Sequence, residues 1–196
     1  MVQEEKSRFT IKEIYKLTQE ASDASRIPTG QTVSGANVTF QEYKVIEGRL
    51  IRKGGGKSPF VFGDRAILGS LAEKQAGTLV AGTNEPMFLT DDLKESLLRD
   101  IEVEFISKSV AVYMDNPFID RKNTIDSLEL PTNKAILISG DGESPYKVTD
   151  YGDLAVLSDD FDVETEEAEV KISYKVDITL LLTEAIGYVV DTSVTF

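Results

Sequence analysis

The sequence predicts an α+β fold, in which an antiparallel sheet with a long C-terminal strand packs with one long helix and carries an extended basic β-hairpin. Three observations lead to this fold. Apolar and polar residues alternate over residues 170–182, which is the period of a strand with one buried face. Apolar residues recur every three or four positions over residues 91–115, which is the period of an amphipathic helix. Strand-forming segments also flank the basic, triple-glycine stretch 52–59, which indicates a hairpin with a mobile tip.

The N-terminal segment predicts a short amphipathic helix from Ile11 to about Ser22. Thr10 and Glu13 have the spacing of a capping box, in which each side chain bonds the backbone N–H of the other residue. From residue 31 to residue 62 the pattern changes to that of strands. We therefore expect two parts in one chain: a helical arm with an extended β-hairpin over residues 1–62, and an α+β core over residues 63–196.

The predicted hairpin holds the most basic part of the chain. Its cationic residues are Lys44, Arg49, Arg52, Lys53 and Lys57. Residues 56–58 resemble the end of a phosphate-binding P-loop. The first glycine of that motif would fall at Ile51, however, and Pro59 opposes the helix that must follow it. The sequence therefore predicts a flexible basic loop here and no nucleotide site.

Two further helices are predicted in the middle of the chain. Asp64 is placed to cap a helix over residues 65–76. The buried face of that helix is expected to consist of Ile67, Leu68, Leu71 and Ala72. The longest helix is predicted after Thr90 and should end at Asp115, before Asn116-Pro117. Residues 103–106 and 110–113 are rich in strand formers, so an extended conformation in the last third of this helix is the alternative.

The C-terminal half predicts strands at residues 134–138, 146–148 and 154–157, before the long one. A turn at residues 183–187 should lead into a final strand, residues 188–190. An acidic run precedes the long strand and includes Asp159, Asp160, Asp162 and Glu164. Oxygen ligands at alternate positions suit calcium, but the EF-hand spacing and its glycine are absent, so we expect a solvated loop.

Composition narrows the classes of function. The chain has no histidine and no cysteine, which removes the commonest general base, the usual zinc ligands and every nucleophile–histidine pair. We therefore expect no enzyme, no cofactor and no metal site. The net charge of −13 belongs to residues 101–196, because residues 1–100 are balanced. Such a chain is poorly suited to specific contact with nucleic acid, and it has no apolar run that suits a membrane helix.

The C-terminal region resembles the end of a tailed-bacteriophage major capsid protein, a fold shared with encapsulin-like shell proteins. The residues that carry the resemblance are a short segment before the acidic run, 152–159, the long strand 170–182, and the Thr-Glu-Ala turn with the last strand, 183–190. The resemblance implies a helical arm and an extended loop that overlaps a neighbouring subunit. Chains of that family are usually longer than the 196 residues present here.

These observations together predict a self-assembling structural protein of a virus-like particle, first of all a bacteriophage capsid subunit. Its partners would be copies of itself and other virion proteins, with assembly in the host cytoplasm and final location in the virion. We expect the subunit interface to join the five basic residues of the hairpin to the acidic run. The residues concerned are Lys44, Arg49, Arg52, Lys53 and Lys57, facing Asp159, Asp160, Asp162 and Glu164.

Three alternatives stay open at this point. The chain could instead be a phage tail-tube or head–tail connector subunit, since those proteins are also β-rich and acidic. It could be a monomeric module that binds a ligand with the loops at residues 52–59 and 139–145. A hydrolase based on two carboxylates is the third, although nothing in the sequence selects a pair.

Overall fold

A computed structural model describes residues 2–76, 103–119, 127–151, 155–158, 170–173 and 175–195. Within these ranges the α-helices are α1 (Val2–Asp23), α2 (Phe40–Lys53) and α3 (Arg65–Ala76), and a single 3₁₀ turn covers Thr183–Ala185. The strands are β1 (Thr32–Gly35), β2 (Phe60–Gly63), β3 (Phe105–Ile106), β4 (Ser109–Tyr113), β5 (Lys134–Ile138), β6 (Tyr146–Asp150), β7 (Ala155–Ser158), β8 (Val170–Ser173), β9 (Val176–Leu180) and β10 (Ile186–Asp191).

Six of these strands form one sheet with the order β1-β10-β5-β2-β4-β3. The sheet is mixed, because β1 is parallel to β10 and β2 is parallel to β4, whereas the other pairs are antiparallel. Two separate antiparallel pairs, β6–β9 and β7–β8, complete the described strands. The α+β class is thus confirmed, and the expected purely antiparallel sheet is wrong.

Helices α2 and α3 cover one face of the six-stranded sheet, which we call the helical face. The sheet contributes Val61, Ala135, Leu137 and Val189 to the core there, and the helices contribute Tyr43, Ile46, Leu50, Ile67, Leu68 and Leu71. Gly187 of β10 lets α2 come close, since a Cβ at that position would lie 2.4 Å from Cγ2 of Ile46. The absence of a side chain on β10 therefore sets how closely α2 approaches the sheet.

Helix α1 and the β6–β9 pair pack on the opposite face, over its β10–β5 half. The second core cluster lies here and contains Tyr15, Ala21, Ile27, Leu130, Ile136, Tyr146, Ile178, Ile186 and Tyr188. Polar side chains of α1 form hydrogen bonds with both neighbouring layers. The Thr18 hydroxyl lies 2.5 Å from the Tyr146 hydroxyl, and Gln19 accepts a hydrogen bond from the Tyr188 hydroxyl at 2.8 Å. The opposite face of the sheet is thus covered where β10 and β5 lie.

The predicted basic β-hairpin is wrong, because residues 40–53 form helix α2. Thr39 and Glu42 make a capping box at its start, with both reciprocal hydrogen bonds present. The buried residues follow at helical spacing: Phe40, Tyr43, Ile46, Glu47 and Leu50. The β-branched residues in this segment suggested strands, but the cap and the buried stripe favour a helix.

The predicted start of the first helix is also wrong, since α1 already begins at Val2. Thr10 lies inside the helix, and its hydroxyl donates a hydrogen bond to the carbonyl of Lys6 at 2.9 Å. That bond replaces the predicted capping box with Glu13, because the backbone before Thr10 is helical too. The predicted end of the helix differs from the observed one by a single residue.

The long C-terminal strand is divided in two. Residues 170–173 pair with β7 as β8, whereas residues 176–180 pair with β6 as β9, so the alternating pattern serves two different sheets. Alternation holds within β9, where Ile178 is buried between the exposed Asp177 and Thr179. A single long strand is therefore wrong, although both of its described halves are extended.

The predicted helix over residues 91–115 falls partly outside the described residues. Over residues 103–115 the helix is wrong, because β3 and β4 occupy that segment, as the alternative expected. Other predictions for this region are confirmed. Helix α3 covers residues 65–76 with the predicted buried face, β5 matches residues 134–138, and the final strand follows a turn at Thr183–Ala185.

Candidate interaction surface

Four of the five predicted basic residues lie on α2, and the fifth follows it. Arg49, Arg52 and Lys53 are exposed and are spaced three and four residues apart, so they share one side of the helix. Lys44 is half-buried and lies over the Phe40 ring at 5.9 Å. It is five residues from Arg49, roughly 140° around the helix, so the structure does not bring it into the same stripe.

The Arg49 guanidinium is held against the loop that precedes β1. Its Nη1 donates a hydrogen bond to the carbonyl of Thr29. The side chain also fills the space beside Gly30, where a Cβ would lie 2.6 Å from Cζ of Arg49. Arg49 therefore has a structural role that the sequence did not reveal.

Lys57 lies in a turn that ends α2. Gly55 and Gly56 have φ angles of +63° and +91°, a left-handed region that glycine enters without strain. The turn packs against the segment after β5, since a Cβ on Gly140 would lie 2.1 Å from the carbonyl oxygen of Ser58. The triple glycine thus ends α2 and forms the turn between Lys53 and Lys57. We call Arg49, Arg52, Lys53 and Lys57 the basic surface.

Ordinary structural reasons account for part of this charge. Arg52 and Lys53 occupy the last turn of α2, where the helix dipole favours cations. The acidic residues that we expected to face them, Asp159, Asp160, Asp162 and Glu164, lie outside the described residues. Their pairing with the basic surface remains a prediction.

Two buried carboxylates on the helical face were not found from the sequence. Glu47 is 3% exposed and accepts hydrogen bonds from the Lys108 backbone N–H at 2.8 Å and the Ser109 hydroxyl at 2.7 Å. It therefore holds the β3–β4 turn against α2. A polar residue inside an apolar helical stripe was the signal, but its partners are about sixty residues away in the chain.

Asp191, at the end of β10, is the second buried carboxylate and is fully buried. It accepts hydrogen bonds from the backbone N–H groups of Asn37 and Val38 at 2.9 and 3.0 Å, and from the Lys74 ammonium. Burial by itself raises the pKa of Asp191, but the hydrogen bonds from Lys74 and Ser193 outweigh that effect and lower the pKa to about 2. The carboxylate thus joins β10, α3 and the entry to α2.

An open cleft of about 620 Å³ lies between the start of α3 and the segment that follows β4. Its polar groups bond one another. Asp64 accepts from the Ala66 N–H at 2.7 Å and from the Asn116 amide at 2.7 Å, and Asn116 in turn accepts from the Leu130 N–H at 2.7 Å. Asp64 thus caps α3, and Asn116 fixes the segment after β4, so the polar groups of the cleft stabilise the fold.

Among the residues that the structure describes, no group of three or more Asp or Glu residues is arranged to hold a metal ion. Likewise, none of the helices found among those residues has the length and apolarity to cross a membrane.

The fold of the chain is similar to that of a protein of known structure. It is similar to the crystal structure of a phage-related protein from Bordetella bronchiseptica RB50, with a TM-score of 0.52 over 91% of this chain and 62% of that one. The two sequences are 12% identical, so this likeness concerns the fold alone.

The sequence comparison identifies the family. A model of the family described as "SPbeta prophage-derived putative capsid protein YonB" matches residues 1–190. The Bacillus subtilis (strain 168) protein described as "SPbeta prophage-derived uncharacterized protein YonB" is 34% identical over 185 residues. The chain therefore belongs to the YonB family of prophage-derived, capsid-like proteins. The match covers 94% of this chain and 52% of that relative, so the chain spans about half of the relative's length.

Proposed function

We propose that this chain is a structural subunit of a bacteriophage capsid and that it assembles with copies of itself. The family match over residues 1–190 carries this proposal, because the description of that family is "putative capsid protein". In this proposal the chain is not an enzyme, needs no cofactor, and is located in the virion after assembly in the host cytoplasm. Because the chain spans 52% of the Bacillus subtilis relative, the proposal concerns the role of this segment.

The basic surface supplies one side of the proposed contact between subunits. Arg49, Arg52 and Lys53 are exposed on α2, outside the buried stripe that packs on the sheet, and the exposed Lys57 follows in the turn after the helix. The opposing charge would come from residues 101–196 of a neighbouring subunit, where the net charge of −13 resides. Contacts of this kind between exposed charges guide association and weaken in salt.

The test is the mass of the particles in solution, measured by light scattering after size exclusion at low and at high salt. We expect species far heavier than the 21.6 kDa chain at low salt, and a shift towards the single chain at high salt. A single 21.6 kDa species under both conditions would contradict the proposal.

A charge-matched pair of variants separates the basic surface from a general effect of charge. The first variant replaces Arg52, Lys53 and Lys57 by Gln and should assemble less than the wild type. The control makes the same change at three exposed cations of α1 and the loop after it, namely Lys12, Lys16 and Arg26. Equal loss of assembly in both variants would show that the basic surface has no specific part in the contact.

A further inference from the structure

The other half of the sheet, strands β2, β4 and β3, carries a group of apolar residues on the side where α1 and the β6–β9 pair cover β10 and β5. Phe60 is directly opposite Val110, which is itself opposite Phe105, and Phe62 is opposite Val112. Residues directly opposite one another in neighbouring strands point to the same side of a sheet. These five apolar side chains therefore form one layer across β2, β4 and β3, which we call the aromatic face.

The aromatic face lies on the same side of the sheet as the second core cluster but outside it. Phe60 is also opposite Ile138 of β5, and Ile138 packs against that cluster. Within the part of the chain that the structure describes, none of these five residues belongs to either core cluster, although Phe62 is directly opposite Ile136, a member of the second one. Phe60 is 41% exposed and Phe105 is 46% exposed, although both rings stand beside apolar neighbours. Phe62, Val110 and Val112 are half-buried. An apolar layer that continues a core and is partly exposed to water is typical of an interaction site.

The turn that follows β3, the strand of Phe105, is held from the helical face. Ser107 has a φ angle of +57°, and its N–H donates to the Gln75 side chain at 2.7 Å. Glu47 holds the next two residues, as described above. A surface that is fixed before binding loses little conformational entropy on association. The aromatic face is thus prepared to receive a partner.

The charges at one end of the aromatic face indicate which kind of surface it binds. Since β2 and β4 are parallel, the exposed Lys57 and Lys108, which precede these strands, lie at the same end of the aromatic face. The Pro59 carbonyl accepts a hydrogen bond from the Val110 N–H at 2.9 Å and joins the two strand starts. This apolar face with a basic end suits an acidic surface, and the chain itself has a net charge of −13. That overall charge disfavours a nucleic acid as the partner.

The described residues also offer a complementary surface on the same chain. Leu181 is 56% exposed, and the exposed Glu184 follows it by three residues. The Leu181 N–H donates to the Pro145 carbonyl at 2.8 Å, which brings the exposed Glu143 into the same neighbourhood. An exposed apolar side chain with exposed carboxylates in the segments around it suits an aromatic layer that has two lysines at one end.

We propose that the aromatic face packs against a second copy of this chain, with Lys57 and Lys108 facing the acidic surroundings of Leu181 in that copy. This inference rests on the proposed capsid function and names the surface through which two subunits meet. The aromatic residues form the apolar centre of the contact and the lysines its polar rim, which is the usual anatomy of a protein interface. A stable contact buries about 800 Å² on each partner, so the surroundings of the aromatic face take part as well.

The first experiment replaces Phe60 and Phe105 by Ser in the full chain and measures association by light scattering and analytical ultracentrifugation. We expect self-association to weaken at least tenfold. The matched control replaces Phe9 and Val148 by Ser, since these side chains are 47% and 48% exposed but lie outside the aromatic face. Circular dichroism and thermal unfolding verify that both variants fold.

The second experiment depends on charge and changes no core residue. Lys57→Glu with Lys108→Glu should reduce self-association, and so should Glu143→Lys with Glu184→Lys. Mixing the two variants should restore the pairing between unlike chains. Failure of the mixture to associate, while each variant alone is impaired, would overturn the assignment of Leu181 and its carboxylates as the counterpart.

The outcomes separate this inference from the proposed function. If the wild-type chain assembles and the Phe60/Phe105 variant assembles equally well, the surface is wrong and the capsid proposal stands. If the wild-type chain is monomeric at every concentration, the capsid proposal fails and this inference fails with it. Binding of a single-stranded oligonucleotide that requires Phe60 and Phe105, without self-association, would also overturn it.

Discussion

Replacing Asp191 by Asn should lower the free energy of unfolding by about 3 kcal/mol at pH 7. The carboxylate is fully buried and accepts hydrogen bonds from Lys74, from two backbone N–H groups and from Ser193. An asparagine keeps one acceptor oxygen, removes the charge that pairs with Lys74, and turns an NH₂ donor towards other donors. Breaking a buried, hydrogen-bonded ion pair typically costs 3–5 kcal/mol, so about 3 kcal/mol is expected where Lys74 keeps some contact with water.

The pH dependence gives an independent magnitude for the same residue. The pKa of Asp191 is lowered from 3.8 to about 2 in the folded protein, and each pKa unit corresponds to about 1.4 kcal/mol. The unfolded chain therefore takes up this proton at a higher pH than the folded one. A stabilisation of about 2 kcal/mol is present above pH 4 and is lost as the pH falls towards 2.

The assay is urea unfolding of the wild type and of Asp191→Asn between pH 2 and pH 7. The difference between the two free energies of unfolding should shrink by about 2 kcal/mol from pH 5 to pH 2, because the variant lacks the titrating group. Asp177→Asn, at an exposed position on β9, serves as the control and should change little at any pH. A difference that stays constant with pH, or that is below about 1 kcal/mol at pH 7, would refute this account of Asp191.

Two other changes test the packing on the helical face, both measured by urea unfolding. Glu47→Gln should lower the free energy of unfolding by about 2 kcal/mol, because two donors of the β3–β4 turn lose a charged acceptor. The control Glu73→Gln, at an exposed site, should change the free energy of unfolding by no more than about 0.5 kcal/mol. Gly187→Ala should lower the free energy of unfolding by about 1–3 kcal/mol, because the added Cβ clashes with Ile46. The control is Gly35→Ala, which should have little effect because a Cβ on Gly35 meets nothing within 4 Å. Equal effects of the two glycine variants would show that α2 is not packed as tightly as described.

Local sequence patterns predicted the elements whose signals are local. Helix α3 has a capping Asp64 and a clear apolar stripe, and β5 is a continuous apolar run between turns, so both were predicted with correct bounds. Helix α2 was missed because Glu47 interrupts its apolar stripe and Val45 is exposed, which disguised the helical period. The division of the C-terminal strand depends on two different partner strands, and no local pattern records that choice.

The candidate surface was predicted in part. The basic residues were found from their number and proximity in the chain, but their conformation was wrong, and Lys44 lies apart from the others on α2. Glu47 and Asp191 were missed because their hydrogen-bond partners lie about 60 and 150 residues away. The capsid-like family is confirmed, and membership of the major capsid or encapsulin group specifically stays a prediction.

The most direct test of the capsid proposal is electron microscopy of the purified wild-type chain, by negative staining of the heaviest fraction from size exclusion. We predict closed shells or curved arrays with a regular subunit spacing. Long tubes or isolated rings would favour a tail-tube or connector subunit instead. A field of single 21.6 kDa particles would contradict the central claim.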